Sequence, residues 1–194
     1  MTTPASILPA WVISDRLMLR ELQDADAPVQ AAAVAASLDH LRPWMPWAAD
    51  LPRPGVLLDQ VRAARQARVD GGDAGYGAFF GAVSVGGCGL HRRRGPGVLE
   101  IGYWVHADHV RQGYATEMAA ALTTAAFGVP GIERVEIHHD RANVASRGVP
   151  ERLGFRFAGE SPDEVTASGE EGVDWAWEMP REGWSGSPTL WGHL

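Results

Sequence analysis

Hydrophobic and polar positions alternate, or short apolar runs recur, at the lengths of β-strands along most of the chain. With turn residues between them, these runs predict about seven strands, because strand side chains point to alternate faces with a period of two. The predicted strands cover residues 14–23, 76–83, 86–91, 98–105 and 134–139 and the segments FRFAG and VDWAWEM.

Four segments between these strands are typical of helices. They are the Ala-rich segment 24–38, residues 56–69, residues 113–127 and a short helix within 143–155. Pro150 lies in the last of them and removes a helical hydrogen bond unless it falls in the first turn. We therefore expect that helix to begin near Ser146 or later.

The order of these elements predicts the architecture. Residues 76–105 are expected to form an antiparallel meander, and the order strand, helix, strand over 98–139 predicts a right-handed crossover and a parallel pair. Four prolines exclude a continuous helix between the first two helices, so a loop is expected there. The prolines are Pro43, Pro46, Pro52 and Pro54, and the loop carries Trp44, Met45 and Trp47.

Composition and charge narrow the classes of function. The 194 residues, 45% of them hydrophobic, suffice for one domain over 1–194, with a core over 14–179 and an extension over 180–194 that is either docked or mobile. A formal net charge of −7 argues against nucleic acid as the main partner. A single cysteine, no apolar leader and no membrane-length run together favour a cytoplasmic protein without a membrane partner.

The segment HADHVRQGYATE precedes the third predicted helix. If Gly113 begins that helix, unpaired N–H groups and the helix dipole favour an anion there, and small side chains at Gly113 and Ala115 would admit a diphosphate. The same glycine is equally suited to a tight turn, so this segment alone leaves both interpretations open.

The motifs DRLMLRELQ, LRPWMPW, EIGYWVHADHVRQGYATE and NVASRGVPERLGF, in this order and spacing, resemble the GNAT superfamily of acyl-CoA-dependent N-acetyltransferases. The resemblance covers residues 14–179 and is strongest to the RimJ/RimL branch, which acetylates N-termini of ribosomal proteins. It implies an α/β (α+β) fold with a mixed central sheet, a splayed parallel pair in its middle and flanking helices. The chain departs from the family pattern at Val110, where the loop usually begins with Gln or Arg.

The resemblance also implies a binding site for acetyl-CoA, with no metal. Amides of Tyr103, Trp104 and Val105 would bond the pantetheine arm and polarise the thioester carbonyl. Asn143 would hold the pantetheine amides, and Ser146 would assist departure of the CoA sulfur. The diphosphate would lie on the loop of Val110, Arg111, Gln112, Gly113, Tyr114, Ala115 and Thr116.

Direct transfer to an amine needs a base, because an ammonium cannot attack a carbonyl. Glu100 is the predicted base, in a cleft where a raised carboxylate pKa would suit the task, and an ion-paired or solvated glutamate is the alternative. Trp44, Trp47, Glu100 and His138 are predicted to contact the acceptor. Cys88 is predicted to be structural, and the arginines of HRRRGPG are expected to be solvated.

The acceptor amine is not determined by these residues. The resemblance favours a peptide or protein N-terminus, whereas a small amine such as an antibiotic, a polyamine or an amino acid fits the same machinery. A non-catalytic acyl-CoA-binding module is the alternative of a different class, and a homodimer is left open. An open groove beside Trp44 and Trp47 would indicate a peptide, and a closed pocket would indicate a small amine.

Overall fold

The computed structural model describes residues 7–50 and 54–193, so Pro52 and both ends of the expected domain lie outside it. The strands are β1 (Trp11–Ile13), β2 (Met18–Arg20), β3 (Ala74–Phe80), β4 (Val83–His91), β5 (Val98–Val105), β6 (Arg134–Asp140), β7 (Arg156–Pro162), β8 (Val173–Pro180) and β9 (Leu190–Gly192). The helices are α1 (Ala27–Leu41), α2 (Pro54–Val69), α3 (Tyr114–Gly128) and α4 (Val144–Leu153). One mixed sheet contains these strands in the order β7-β8-β6-β5-β4-β3-β2-β1-β9.

The predicted mixed sheet with flanking helices is confirmed, although it has nine strands among the described residues and not about seven. The predicted first strand, 14–23, contains only the three residues of β2. The chain turns just before it, where the N–H of Ser14 donates to the carbonyl of Leu17 at 2.9 Å. The preceding residues form β1, which pairs antiparallel with β2.

The C-terminal extension is docked along its described residues. Strand β9 pairs antiparallel with β1 and forms one edge of the sheet. Before it, Arg181 donates hydrogen bonds to the carbonyls of Phe127 at 2.7 Å and Ile132 at 2.9 Å. These carbonyls lie at and beyond the C-terminal end of α3, where helix geometry leaves acceptors without partners.

Helices cover both faces of the sheet. The buried side chains Leu99, Ile101, Val135 and Ile137 of β5 and β6 lie in one core cluster with Met118 and Leu122 of α3. Both α3 residues have no exposed surface. The neighbouring positions of β5 point to the opposite face, where α1 contacts β4 and α2 contacts β3. The candidate site lies on that second face.

The parallel strands β5 and β6 separate along their length. They pair in register over four positions, from Val98 with Arg134 to Ile101 with Ile137. Beyond that point β5 continues to pair with β4 as far as Val105, and β6 continues with β8 as far as Asp140. The predicted splay is therefore confirmed, and it opens at Gly102.

Helix α4 begins earlier than the sequence predicted. Its first residue is Val144, two residues before Ser146, and Pro150 lies inside it. Because proline has no N–H, the carbonyl of Ser146, four residues before Pro150, loses its usual helical partner. The expectation that the proline would delay the helix is wrong, because the hydroxyl of Tyr103 bonds this carbonyl instead.

Candidate active site

A cavity of about 800 Å³ lies where β5 and β6 separate, between the sheet and the helices α1 and α2. It brings together predicted site residues that lie on separate segments of the sequence. The predicted residues that line the cavity are Trp44, Trp47, Glu100, Tyr103, Trp104, His138, Asn143 and Ser146. Val105 and the loop from Val110 to Thr116 do not line it, so the predicted diphosphate loop is outside this cavity.

Two loops touch each other at the cavity. One, the Trp loop, comprises residues 42–48 and contributes Trp44 and Trp47, and the other, the β7–β8 loop, comprises residues 163–172. The N–H of Gly169 donates to the carbonyl of Pro43 at 2.9 Å. A Cβ at Gly169 would lie only 2.7 Å from Pro43, so the close approach of the two loops requires glycine at position 169. The contact bridges one side of the cavity.

The Trp loop also packs onto the sheet. The ring of Trp47 meets that of Trp104 edge to face, with centroids 6.1 Å apart. Gly87 of β4 makes room for the indole, because a Cβ there would lie 2.6 Å from Nε1 of Trp104. The predicted loop thus supplies an aromatic wall, although Pro46–Ala48 forms a short 3₁₀ turn within it.

Tyr103 links β5 to α4 across the splay. Its hydroxyl donates to the freed carbonyl of Ser146 at 3.2 Å and lies 3.0 Å from the Ser146 Oγ. The tyrosine thus replaces the hydrogen bond that Pro150 cannot make. Burial raises the pKa of Tyr103 to about 12, against the effect of the Ser146 hydrogen bond, so the phenol stays protonated at neutral pH.

Asn143 caps α4. Its Oδ1 accepts the N–H of Ser146 at 3.1 Å, which is the capping role that Asn commonly performs. The cap fixes the first turn of the helix and with it the Ser146 hydroxyl at the cavity. Asn143 also lines the cavity, so its predicted contact with the cofactor stays a prediction.

The loop before α3 has unusual backbone geometry. Arg111 has φ 61° and Gly113 has φ 83°, and Arg111 is the single non-glycine residue with positive φ in the described parts of the chain. Such a conformation costs about 1–3 kcal/mol outside glycine and is found where backbone amides serve a ligand. The helix begins at Tyr114, and no side chain caps it at Gly113. The tight turn and the free helix N-terminus therefore occur together.

Sequence reasoning missed Arg16 beside this loop. Its Nη2 donates to the carbonyl of Gln112 at 3.2 Å, and its guanidinium lies 4.8 Å from the centre of the Tyr114 ring. Glu117 in the first turn of α3 binds Arg16 with an N–O distance of 2.7 Å. The cation approaches from a hairpin about one hundred residues away, so no local motif indicated it.

The predicted raised pKa of Glu100 is wrong. The residue is 3% exposed, and its carboxylate pairs with Arg93 and with Nε of Arg94, the latter at 2.5 Å. Burial alone would raise the pKa of Glu100, but the hydrogen bonds and charges of the two arginines lower it below its usual value. The ion-paired alternative is the one observed. Arg93 and Arg94 are exposed, as expected, and each also pairs with the Glu100 carboxylate.

His138 is held between two carboxylates. Nδ1 lies 2.7 Å from Asp174 and Nε2 lies 3.0 Å from Glu136. Burial opposes protonation, but the two carboxylates raise the pKa of His138 above its usual value. Both ring nitrogens are engaged, so His138 reaches the cavity as an ion-paired wall residue and has no nitrogen free to act as a base.

Sequence reasoning also missed His91, the last residue of β4. Its Nδ1 lies 2.9 Å from Asp73, whose other carboxylate oxygen accepts the N–H of Arg92 at 2.8 Å. The imidazole lines the cavity and is the register partner of Glu100. The one signal in the sequence was the histidine that directly follows the glycine-rich segment GGCGL. Its position across from Glu100 is visible only in the sheet.

Other candidates have structural surroundings. Cys88 is buried, and burial raises the pKa of its thiol. In His139, Nε2 accepts the indole N–H of Trp177 at 3.0 Å, and Nδ1 lies 2.8 Å from the carbonyl of Asp140. Within residues 7–50 and 54–193, no three His, Cys, Asp or Glu side chains are grouped to hold a metal ion. None of the helices there is both long and apolar enough to cross a membrane.

The chain is similar to known proteins in sequence and fold. The family described as "Acetyltransferase (GNAT) domain" matches residues 16–156. A Bacillus subtilis (strain 168) protein, provisionally named ribosomal N-acetyltransferase YdaF, is 28% identical over 165 residues, covering 81% of this chain and 87% of that protein.

Two solved structures share the fold. Mycobacterium smegmatis RimJ, in complex with a CoA disulfide, aligns with a TM-score of 0.80 at 21% identity, covering 95% of this chain and 91% of RimJ. The microcin C7 self-immunity acetyltransferase MccE, in complex with acetyl-CoA and AMP, aligns with a TM-score of 0.80 at 16% identity, covering 90% of this chain and 98% of MccE.

Proposed function

The chain belongs to the acetyltransferase (GNAT) family, and on this basis we propose that it transfers the acetyl group of acetyl-CoA directly to the primary amine of a peptide or protein N-terminus. The observation that carries the proposal is the cavity at the splay of β5 and β6, which unites the Ser146 hydroxyl, the free edge of β5 and an aromatic wall. Acetyl-CoA is the acyl donor.

The donor would lie along the free edge of β5. Beyond Ile101 this strand no longer pairs with β6, so the segment Tyr103–Val105 has an edge on which an amide-bearing pantetheine arm fits as an added strand. Amides on that edge would also polarise the thioester carbonyl. Asn143, on the opposite wall of the opening, would hold the pantetheine amides.

The diphosphate would bind the loop before α3. The positive φ values of Arg111 and Gly113 and the uncapped helix N-terminus suit an anion, because unpaired N–H groups and the helix dipole at an N-terminus favour negative charge. Arg16 bonds the carbonyl of Gln112 in this loop, and Glu117 balances its charge, so anion binding would depend mainly on backbone amides. Backbone amides need no particular side chain at Val110, so the departure from the family pattern there is compatible with binding.

Ser146 would stabilise the departing sulfur. Its hydroxyl is fixed by the hydroxyl of Tyr103 and by the position of its residue in the first turn of α4. Since Tyr103 stays protonated at neutral pH and donates to the Ser146 carbonyl, its oxygen can accept the Ser146 hydroxyl hydrogen before cofactor binds, and the hydroxyl would turn to donate to the thiolate as the sulfur departs. Glu100, as predicted from the sequence, and His91 are the two candidates for accepting the amine proton. Glu100 is the weaker base because its pKa is lowered.

The bridge between Gly169 and Pro43 bears on the acceptor. It joins the Trp loop to the β7–β8 loop beside the cavity, which supports an acceptor that enters as a flexible chain terminus. The same bridge favours the second candidate function, acetylation of a small amine. MccE, which shares the fold, was solved with a small molecule, AMP, in addition to acetyl-CoA.

CoA release distinguishes these candidates. We would assay N-terminal peptides of increasing length, polyamines, amino acids and aminoglycosides with acetyl-CoA, and measure acetyl-CoA binding separately by calorimetry. Turnover with peptides supports the first candidate, and turnover confined to small amines supports the second. Tight acetyl-CoA binding without turnover across the panel would identify a non-catalytic acyl-CoA-binding module.

We also propose that residues 1–194 form one acetyltransferase domain with its core over 14–179, that the protein acts in the cytoplasm, and that it forms a homodimer. Similarity to YdaF, whose name links it to the ribosome, supports the cytoplasmic location. Light scattering during size-exclusion chromatography measures the oligomeric state directly, and a monomeric mass would contradict the dimer.

A further inference from the structure

We propose that His91, positioned by Asp73, is the base that accepts the proton of the acceptor amine. The inference rests on the acetyltransferase function proposed above and deepens it. It names the group that prepares the nucleophile, which the sequence had placed at Glu100.

Asp73 fixes the tautomer of His91. One carboxylate oxygen of Asp73 lies 2.9 Å from Nδ1 of His91, and the other accepts the N–H of Arg92 at 2.8 Å. The pKa of Asp73 is lowered: burial acts against this, and the Arg92 N–H and the His91 ring outweigh it. An ionised carboxylate only accepts hydrogen bonds, so Nδ1 carries the proton and the lone pair of a neutral ring lies on Nε2.

Two glycines let the imidazole lie against the sheet. A Cβ at Gly89 would lie 3.0 Å from Nε2 of His91, and a Cβ at Gly102 would lie 3.3 Å from it. These glycines are register partners on β4 and β5. Any side chain at either position would press on the ring, so the pair of glycines keeps Nε2 close to the strand backbone.

Gly102 also marks the start of the splay, because Ile101 is the last residue of β5 that pairs with β6. Nε2 therefore lies at the opening where the proposed function places the thioester carbonyl. The His91 side chain is 28% exposed and lines the cavity, so an amine entering there can reach it. No described residue forms a hydrogen bond with Nε2.

The other ionisable groups of the cavity are engaged. Glu100 is neutralised by Arg93 and Arg94, and both ring nitrogens of His138 bind carboxylates. Asp73 contacts the ring directly, and the charged side chains that line the same cavity are Arg65, Arg93, Arg94, Glu100, Asp140, Asp163, Glu170 and Asp174. Among them His91 is an imidazole with one ring nitrogen held by a carboxylate and a lone pair on the other nitrogen at the cavity.

In the proposed transfer, Nε2 of His91 first takes one proton from the ammonium of the acceptor, which yields imidazolium and a neutral amine. The amine lone pair forms the C–N bond while the C–S bond breaks, and the bonding electrons leave on sulfur. The second nitrogen proton neutralises the thiolate, assisted by the Ser146 hydroxyl. The imidazolium then releases its proton to solvent, so one ammonium and one thioester give an amide, a thiol and one free proton.

The test compares His91→Asn and Asp73→Asn with Glu100→Gln. Exposed His40 and Asp39 supply the matched controls His40→Asn and Asp39→Asn. For each variant we would measure kcat against pH at saturating acetyl-CoA and amine, together with acetyl-CoA affinity by calorimetry. His91→Asn should lower kcat by about 100-fold or more, leave acetyl-CoA affinity within about threefold and remove the acidic limb of the profile.

Asp73→Asn should lower kcat less than His91→Asn, because the ring remains but no carboxylate fixes the tautomer that has its lone pair on Nε2. Added imidazole should partly restore His91→Ala, an effect that a structural role would not produce. An unchanged acidic limb in His91→Asn, or its loss in Glu100→Gln alone, would overturn the inference and leave the proposed function intact. Absence of turnover by the unsubstituted protein would overturn both.

Discussion

Replacing Tyr103 by phenylalanine tests how the proline inside α4 is accommodated. The substitution removes the donor to the Ser146 carbonyl, at 3.2 Å, and the partner of the Ser146 Oγ, at 3.0 Å. Pro150 has no N–H to offer that carbonyl instead. The site is partly buried, so we expect a loss of about 1–2 kcal/mol in the free energy of unfolding. For a chain of this size, that loss lowers Tm by about 2–8 °C.

Tyr103→Phe should also lower turnover, and a second substitution, Pro150→Ala, separates this effect from the loss of stability. The Ser146 hydroxyl loses its orienting hydrogen bond, worth about 1 kcal/mol, so kcat should fall about fivefold to tenfold. Pro150→Ala returns an N–H to the carbonyl of Ser146 but nothing to its hydroxyl. In the Tyr103→Phe background it should therefore recover stability and leave kcat low.

Calorimetric melting of the two single variants and the double variant gives the coupling energy. We expect about 1 kcal/mol between Tyr103 and Pro150. Tyr114→Phe is the control for stability, because the hydroxyl of Tyr114 has no hydrogen-bond partner among the described residues. Additivity within about 0.3 kcal/mol would refute the claim that Tyr103 substitutes for the missing backbone donor.

Three further substitutions test other parts of the site. Gly113→Trp should abolish acetyl-CoA binding measured by calorimetry, whereas Gly131→Trp, also at positive φ in open surroundings, should retain it; normal affinity in the first would contradict the diphosphate loop. Glu100→Gln should flatten acid unfolding: the lowered folded-state pKa of Glu100 contributes stability above its unfolded pKa of about 4.3, and this is lost as pH falls through the folded value. An acid-unfolding midpoint identical to that of the unsubstituted protein would count against the buried ion pairs. Gly169→Ala should push the Trp loop and the β7–β8 loop apart, because its Cβ would lie 2.7 Å from Pro43, and should raise KM for short acceptors relative to longer ones; an unchanged length preference would separate the bridge from selectivity.

Periodic patterns identified most of the sheet. Strands β3 to β8 and helix α3 have enough residues to show their alternation or helical composition, and the splay followed from family resemblance. The three-residue strands β1 and β9 are too short to carry a period, and their pairing depends on contacts between the two ends of the chain. The sequence therefore underestimated the number of strands and left the tail undecided.

The candidate site divides in the same way. Motifs of the chain nominated Ser146, Asn143 and the aromatic loop, which all reach one cavity. The charge state of Glu100 could not be predicted, because it depends on how Arg93 and Arg94, in the turn before β5, fold back over that strand. His91 was passed over because its importance arises from a carboxylate and two glycines that become neighbours only in the sheet.

The order of strands has a consequence for where this protein can be cut. The segment that matches the acetyltransferase family ends at residue 156, but β8, which supports one wall of the splay through β6, lies beyond it. So does Arg181, which bonds the carbonyls at the end of α3. The family boundary is thus shorter than the folding unit. A fragment trimmed to residues 16–156 would expose the outer edge of β6 to pairing with other chains and should aggregate before it could acetylate anything.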